Sequence, residues 1–314
     1  MIPVPIRSRM IYRLAITLGL FALIAGYIDF GEALDVMLRA SPWLLLAALA
    51  MQTLSTLFAA WRWGLIMRAL GFERPMDFWL RVYFIGSWFN QALPSSIGGD
   101  AMRVLEVGRT GYRKRHALAG VFVDRAVGVF GLLLLNLIAI NLLPSDFPNW
   151  LTHLVNLIAL AGCGGFLAMI LLRHLPGLDR YRILAPVDHL AQQVHRLYAR
   201  PARLLGHSLF SIASHLCSIA AVWLIARGTG MGLDLYHFLI AMPPVFLLTF
   251  VPISLAGWGI REGAMVGIFM LVGADKDHIL AVSILYGLTL IISSLPGGLF
   301  WLDSRHHRSH ADER

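Results

Sequence analysis

The chain has 314 residues, 58% of them hydrophobic and 14% charged, with a mean hydropathy of +0.69. An average soluble domain carries about 25% charged residues, so the composition excludes a water-facing enzyme, a disordered tail and a disulfide-built secreted scaffold. The net charge of +8 does not point to nucleic acid, because Lys and Arg stand in blocks between apolar runs rather than in a stripe with interleaved aromatics.

A helix needs about 20 residues at a rise of about 1.5 Å to cross a hydrocarbon layer of about 30 Å. Taken in chain order, the first candidate is 11–28, preceded by Arg7, Arg9 and Arg13. It resembles a signal peptide, but no small-residue cleavage site follows, so an uncleaved span is predicted. The next span is 43–61. The apolar region 76–110 is broken in its middle by Leu93-Pro94-Ser95-Ser96-Ile97-Gly98-Gly99-Asp100. Spans at 117–141 and 150–172 follow, then a polar segment, 173–206, and a span at 207–226. In the polar segment Val187, Leu190, Val194 and Leu197 share one helical face beside Arg196 and Arg200, which predicts an interfacial helix on the lipid head groups. Region 236–273 is broken by Val251-Pro252-Ile253-Ser254-Leu255-Ala256-Gly257-Trp258-Gly259, and the last span is 279–302. Irregular backbone at membrane depth survives only where protein or a wet cavity satisfies it, so both broken regions are expected to be re-entrant hairpins. Cys163 and Cys217 lie in apolar runs and read as small packing side chains. Trp61, Trp63, Trp79 and Trp150 read as interface anchors.

The predicted fold is an all-α integral membrane protein, one polytopic domain over 1–314 with about six transmembrane helices and two re-entrant hairpins. In that arrangement 21 of the 26 Lys and Arg residues fall on one side, with Arg39, Arg227 and Lys276 opposite and Arg125 and Arg261 in the membrane. The asymmetry predicts cytoplasmic N- and C-termini. The two breaks also resemble each other: shifted by 158 residues, Pro94, Ser96, Gly99 and Arg103 fall on Pro252, Ser254, Gly257 and Arg261. The halves 11–141 and 150–302 would then form an inverted repeat whose breaks face opposite leaflets, a recurring plan for transporters.

The breaks carry the candidate site. Each precedes a new helix whose first N–H groups are free and partly positive, a setting for an anionic head group. Gly98, Gly99 and Gly257 permit close approach of a ligand to backbone, Ser96 and Ser254 offer hydroxyls, and Arg103 and Arg261 offer forked donors to phosphate. Asp124 and Arg125 lie inside a span, where a charge costs about 2.5–3.5 kcal/mol, and are expected to face protein or cavity. Either Arg125 joins the anion site while Asp124 pairs with Arg103 or Arg261, or the charges are a structural ion pair. Asp100 either caps its helix or contacts ligand. Glu262 is assigned to gating and Glu106 to the helix dipole, while Asn90 and Gln91 either line the cavity or satisfy opened backbone. Arg81 is expected to snorkel, and His215 to hydrogen-bond a neighbouring helix. His306, His307 and His310 belong to a solvated tail, and no metal or cofactor is expected.

Asn90 to Asp100 with Arg103, then Asp124-Arg125-Ala126-Val127-Gly128, then Pro252 to Gly263 with Arg261-Glu262-Gly263, resemble the lysylphosphatidylglycerol synthase transmembrane-region family of flippase-like proteins. The resemblance covers about 10–302 and is to a stand-alone member without the soluble synthase domain. It implies movement of a lipid between leaflets of a bacterial inner membrane rather than aminoacyl transfer. The cargo stays open among an anionic phospholipid, an aminoacyl-phospholipid and a polyprenyl- or glyco-lipid. The expected partner is a membrane lipid, with a second copy or a separate lipid-synthesising enzyme as further classes. No ATP-binding motif is present, so the process is expected to be downhill or ion-coupled, and Arg261→Ala is expected to abolish it in a folded protein.

Three other classes compete. A polyprenyl-pyrophosphate phosphatase would use Ser96, Ser254, Arg103 and Arg261 on pyrophosphate, yet no E-x-x-x-E stands near either break. An aspartyl intramembrane protease would pair Asp100 with Asp124, but Asp100 opening a helix is a poor setting for two carboxylates sharing a proton. A purely structural subunit leaves the paired breaks and membrane charges without a role.

Overall fold

A computed structural model describes residues 30–92, 98–171, 185–250 and 256–312. Every regular element among the described residues is helical: α1 (Phe30–Leu38), α2 (Pro42–Ala69), α3 (Met76–Ala92), α4 (Gly98–Gly108), α5 (Lys114–Leu142), α6 (Asn149–Leu171), α7 (Ala185–Tyr198), α8 (Pro201–Gly228), α9 (Leu235–Thr249), α10 (Ile260–Phe269) and α11 (Lys276–Asp312). Among the described residues five helices are long and apolar enough to cross a membrane: α2, α5, α6, α8 and the Lys276–Ser304 part of α11. They coincide with five of the six spans expected from sequence, and the sixth, 11–28, lies outside the described residues. The protein is an all-α integral membrane protein. Its outward face is apolar, with Trp43, Leu157, Leu160 and Leu299 exposed, as lipid contact requires.

Helices α2 and α8 each begin with a proline in the first turn, where its missing N–H costs nothing, and each runs 28 residues. They pack antiparallel along their lengths. At one end Ser41 N donates to Gly228 O at 2.8 Å; midway Ser55 Oγ lies 3.0 Å from Ser214 Oγ; further on Arg62 Nη1 donates to Ser211 Oγ at 2.9 Å. This pair gives the molecule two ends, one marked by Ser41 and Gly228, the other by Ala69 and Pro201.

Each broken region is a hairpin of two packed helices, α3 with α4 and α9 with α10. The first opens at the Ala69–Pro201 end, where the Phe72 and Tyr112 rings sit 4.8 Å apart and Glu73 N donates to Tyr112 Oη at 2.9 Å. The second opens at the other end, where Phe238 meets Phe269 at 4.8 Å and Tyr236 Oη donates to Asp146 at 2.8 Å. Glycine sets how closely the first hairpin closes: a Cβ on Gly99 would stand 2.1 Å from Gly86 O. Likewise α11 crosses α3 so closely that a Cβ on Gly297 would meet Phe84 O at 1.9 Å. In α9 Pro243 and Pro244 remove two donors. The carbonyl of Ile240, four residues before Pro244, instead takes a hydrogen bond from Asn136 Nδ2 of α5 at 3.4 Å.

Helix α7 packs part of its apolar face on the long helices. Val194 and Leu197 are buried against Ile66, Phe130 and Phe166, so this part of its apolar face is covered by protein. Tyr198 Oη lies 3.2 Å from His207 Nδ1, and burial pushes its phenol pKa up, keeping it neutral. The rest of the 173–206 segment before Ala185 lies outside the described residues. Two tryptophans depart from expectation. Trp61 and Trp150 are exposed as anchors should be, but Trp63 and Trp79 are fully buried, edge to face at 5.3 Å, in the core beneath the first hairpin.

Candidate functional site

The described residues that flank the two breaks lie beside the middles of the long helices. Asp124 stands ten residues into α5, about 15 Å from its start, and Ser214 thirteen residues into α8, about 20 Å from its start. At the first tip Arg103 Nη2 donates to Asp124 Oδ2 at 2.8 Å, and Arg125 Nε donates to Asp100 Oδ2 at 2.8 Å. Arg103 also reaches Asp100 at 3.3 Å. On the far side of Asp124, Arg62 of α2 donates to Oδ1 from both Nε and Nη2 at 2.9 Å. The result is an alternating chain, Arg62–Asp124–Arg103–Asp100–Arg125, tying α2, α4 and α5 together. Among the described residues, three guanidinium groups against two carboxylates leave the cluster one net positive charge.

Burial makes this arrangement demanding, since an unpaired charge there would cost several kcal/mol. The guanidinium of Arg103 lies 4.2 Å from the Trp63 ring and 4.6 Å from the Tyr83 ring, and its Nε has no hydrogen-bond partner among the described residues. Neighbouring glycines make room: Gly86 faces the Arg103 stem and Gly128 faces the Arg62 guanidinium. Burial is uneven along the chain. The Arg62, Asp124 and Arg103 side chains are 6%, 3% and 6% exposed, whereas Arg125 and Asp100 are 31% and 15% exposed. The Arg125–Asp100 link is therefore the accessible one.

The second tip is built differently. Gly257 and Gly259 take φ values of +82° and +84°, the left-handed region that turns the chain into α10. Glu262 Oε2 accepts from Gly259 N at 2.5 Å, capping α10, while its Oε1 accepts from Arg261 Nη2 at 2.6 Å and Nε at 3.1 Å. Ser283 Oγ of α11 donates to the same carboxylate oxygen at 3.2 Å. The Arg261 guanidinium lies 4.7 Å from the Trp258 ring and rests where Gly287 has no side chain. Arg261 and Glu262 form a closed neutral pair.

Two adjoining cavities join the tips. One of about 170 Å³ is lined by Arg62, Asp100, Arg103, Asp124 and Arg125. The other, about 290 Å³, is lined by Gln91 of the first hairpin, by Ala256, Gly257 and Arg261 of the second, and by Gln52, Ser55 and Ser218 of the α2–α8 seam. Ala59, Tyr83, Ser87, Asn90, Ser214, His215 and Phe250 line both. Phe250, at the end of α9, lies 5.5 Å from the Arg125 guanidinium, which connects the second hairpin to the first cluster.

Several expectations can now be placed. Arg103 and Arg125 share one cavity, and Arg261 lines its neighbour. Asp124 pairs with Arg103 but not with Arg261, and its second partner is Arg62, one residue beyond the span 43–61 expected from sequence. Asn90 both lines the cavities and satisfies backbone, its Oδ1 accepting from Gly99 N at 2.9 Å. Gly98 begins α4 beside Gly99 and Asp100, while Ser96 and Ser254 lie outside the described residues. Glu106 pairs with Arg109, and His215 Nε2 lies 3.0 Å from Gly128 O of α5 as expected of a helix-bridging histidine. Among the described residues no group of three or more His, Cys, Asp or Glu is placed to hold a metal ion.

A signal for Arg62 lies in the sequence: Gln52, Ser55 and Arg62 recur at helical spacing, with the small Ala59 between, marking a polar stripe on an otherwise apolar helix. No curated protein matches the chain. The family model described as the lysylphosphatidylglycerol synthase TM region matches residues 10–297, and the chain belongs to that family.

Proposed function

We propose that this protein carries an anionic lipid between membrane leaflets, holding the head group in the joined cavities while the acyl tails stay in the bilayer. The observation that carries the reading is the meeting of two hairpin tips, from hairpins opening at opposite ends, at cavities lined by Arg103, Arg125 and Arg261. Hairpins whose tips stop at mid-length act as re-entrant elements, each closing the cavity toward the leaflet opposite its own open end. The antiparallel α2–α8 pair supports an inverted repeat: Ser55 faces Ser214, 159 residues on and one residue beyond the position, Ala213, that the 158-residue shift assigns to it.

The exposed link is where exchange begins. A lipid phosphate approaching Arg125 replaces the Asp100 carboxylate as its partner, keeping every charge compensated as the head group enters. Arg62, Asp124 and Arg103 behind it hold the cluster in position. Rocking of one half against the other about the α2–α8 seam then transfers access between ends, with no bond made or broken in the lipid. The assigned location is a bacterial inner membrane with both termini cytoplasmic, supported by the basic residues crowding the Ala69–Pro201 end.

The test is reconstitution of the purified chain in proteoliposomes carrying a trace fluorescent anionic phospholipid, with leaflet exchange read by a membrane-impermeant quencher. Exchange well above protein-free vesicles is expected. Equal rates would remove the reading.

A further inference from the structure

One part of the wall of the larger cavity offers acceptors, beside the donors of Arg261 and the Asn90 and Gln91 amides. Thr56 Oγ1 donates to Gln52 O, Ser87 Oγ to Tyr83 O, Thr249 Oγ1 to Phe246 O, Ser293 Oγ to Leu290 O and Ser294 Oγ to Ile291 O, at 2.7–3.2 Å. Tyr286 Oη donates to Gln52 Oε1 at 3.2 Å. A hydroxyl has one proton and two lone pairs, so each of these groups has spent its donor on protein and turns acceptors to the cavity. A wall of acceptors is matched by a ligand rich in O–H or N–H donors.

Charge decides between those two. An ammonium in a site of low dielectric needs a carboxylate to receive it. Asp124 and Asp100, which line the smaller cavity, are each held by two arginines, and Glu262 is fully buried in its pair with Arg261. The first cluster has one positive charge in excess, which suits one phosphodiester and repels an ammonium. We infer that the head group taken by this site is a single phosphodiester bearing an uncharged, hydroxyl-rich group: phosphate against Arg125 in the smaller cavity, hydroxyls against the acceptor wall of the larger one. The inference rests on the lipid-carrier reading and narrows its cargo, setting aside an aminoacyl head group.

The experiment uses the full chain in phosphatidylcholine proteoliposomes, each preparation with one labelled trace lipid, scored for leaflet exchange. Phosphatidylglycerol and phosphatidylinositol present a phosphodiester with hydroxyls on acyl tails, and a polyprenyl phosphohexose presents the same chemistry on an isoprenoid tail. Phosphatidylethanolamine and the lysyl ester of phosphatidylglycerol present ammonium groups. Because an ammonium finds no free carboxylate there, hydroxyl-bearing diesters are expected to exchange at least about tenfold faster than ammonium lipids. The faster of the two tail types identifies the source of the head group. Thr249→Val with Ser87→Ala is expected to shrink that preference severalfold. Equal exchange of all head groups, faster exchange of ammonium lipids, or a preference untouched by the double variant overturns the inference and leaves a lipid carrier. If no lipid exchanges above protein-free vesicles, the carrier reading falls and this one with it.

Discussion

Buried charge at Arg261 and Glu262 sets the terms for testing either residue. Glu262 is 0% exposed and both caps α10 and balances Arg261, so removing Arg261 alone strands a carboxylate inside protein, typically at a cost of about 3–5 kcal/mol. The sequence-based expectation that Arg261→Ala stays folded overlooks that partner. Arg261→Met with Glu262→Gln keeps the volume and the cap acceptor while deleting both charges together. This double variant is expected to elute as a monodisperse protein and to lose lipid exchange, whereas Arg261→Ala alone should lower the thermal midpoint sharply. Wild-type exchange in the double variant would take the pair out of the site. The arginines themselves stood out in the sequence because charge in an apolar run is conspicuous. Which carboxylate each one takes did not, since Arg62 meets Asp124 across 62 residues of chain.

At the scale of elements, helix crossings depend on glycines that look alike in the sequence. Gly99 allows α4 to rest on α3, and a methyl group there would collide with Gly86 O and Asn90 Oδ1. Gly99→Ala is expected to destabilise the protein by about 1–3 kcal/mol through overpacking. Gly164 and Gly165 of α6 have open space where a Cβ would stand, so alanine there should be neutral or stabilising by up to about 1 kcal/mol. Melting curves in detergent compare the two sets directly. The breaks were legible because Pro and Gly interrupt otherwise continuous hydrophobicity. That α7 docks on α5 and α6 was not, because an apolar helical stripe reads the same whether protein or lipid covers it.

For the molecule as a whole, orientation and register are separate questions. The basic Ala69–Pro201 end is expected to face the cytoplasm. In a cysteine-free background, Ser145→Cys should react with an impermeant maleimide on intact cells, and Glu73→Cys only after the membrane is opened; both positions are exposed. The reverse pattern would invert the topology. Register is tested at the seam, where Ser55 and Ser214 hydroxyls are 3.0 Å apart. With Cys163 and Cys217 replaced, cysteines at these two positions lie within disulfide range and should cross-link on mild oxidation. Absence of the cross-link would contradict the antiparallel α2–α8 register.

The sequence by itself determined the membrane class, the positions of five long spans, the two broken regions and the arginines beside them, because hydropathy and helix-breaking residues act locally along the chain. Only the tertiary structure decided who neutralises whom: Asp124 with Arg62 and Arg103, Asp100 with Arg125, Glu262 with Arg261. It also decided that five hydroxyls of the central cavity, those of Thr56, Ser87, Thr249, Ser293 and Ser294, turn their protons toward the backbone. Ion pairing and hydrogen-bond direction depend on distances of a few ångströms between helices remote in the chain, and no local pattern encodes those.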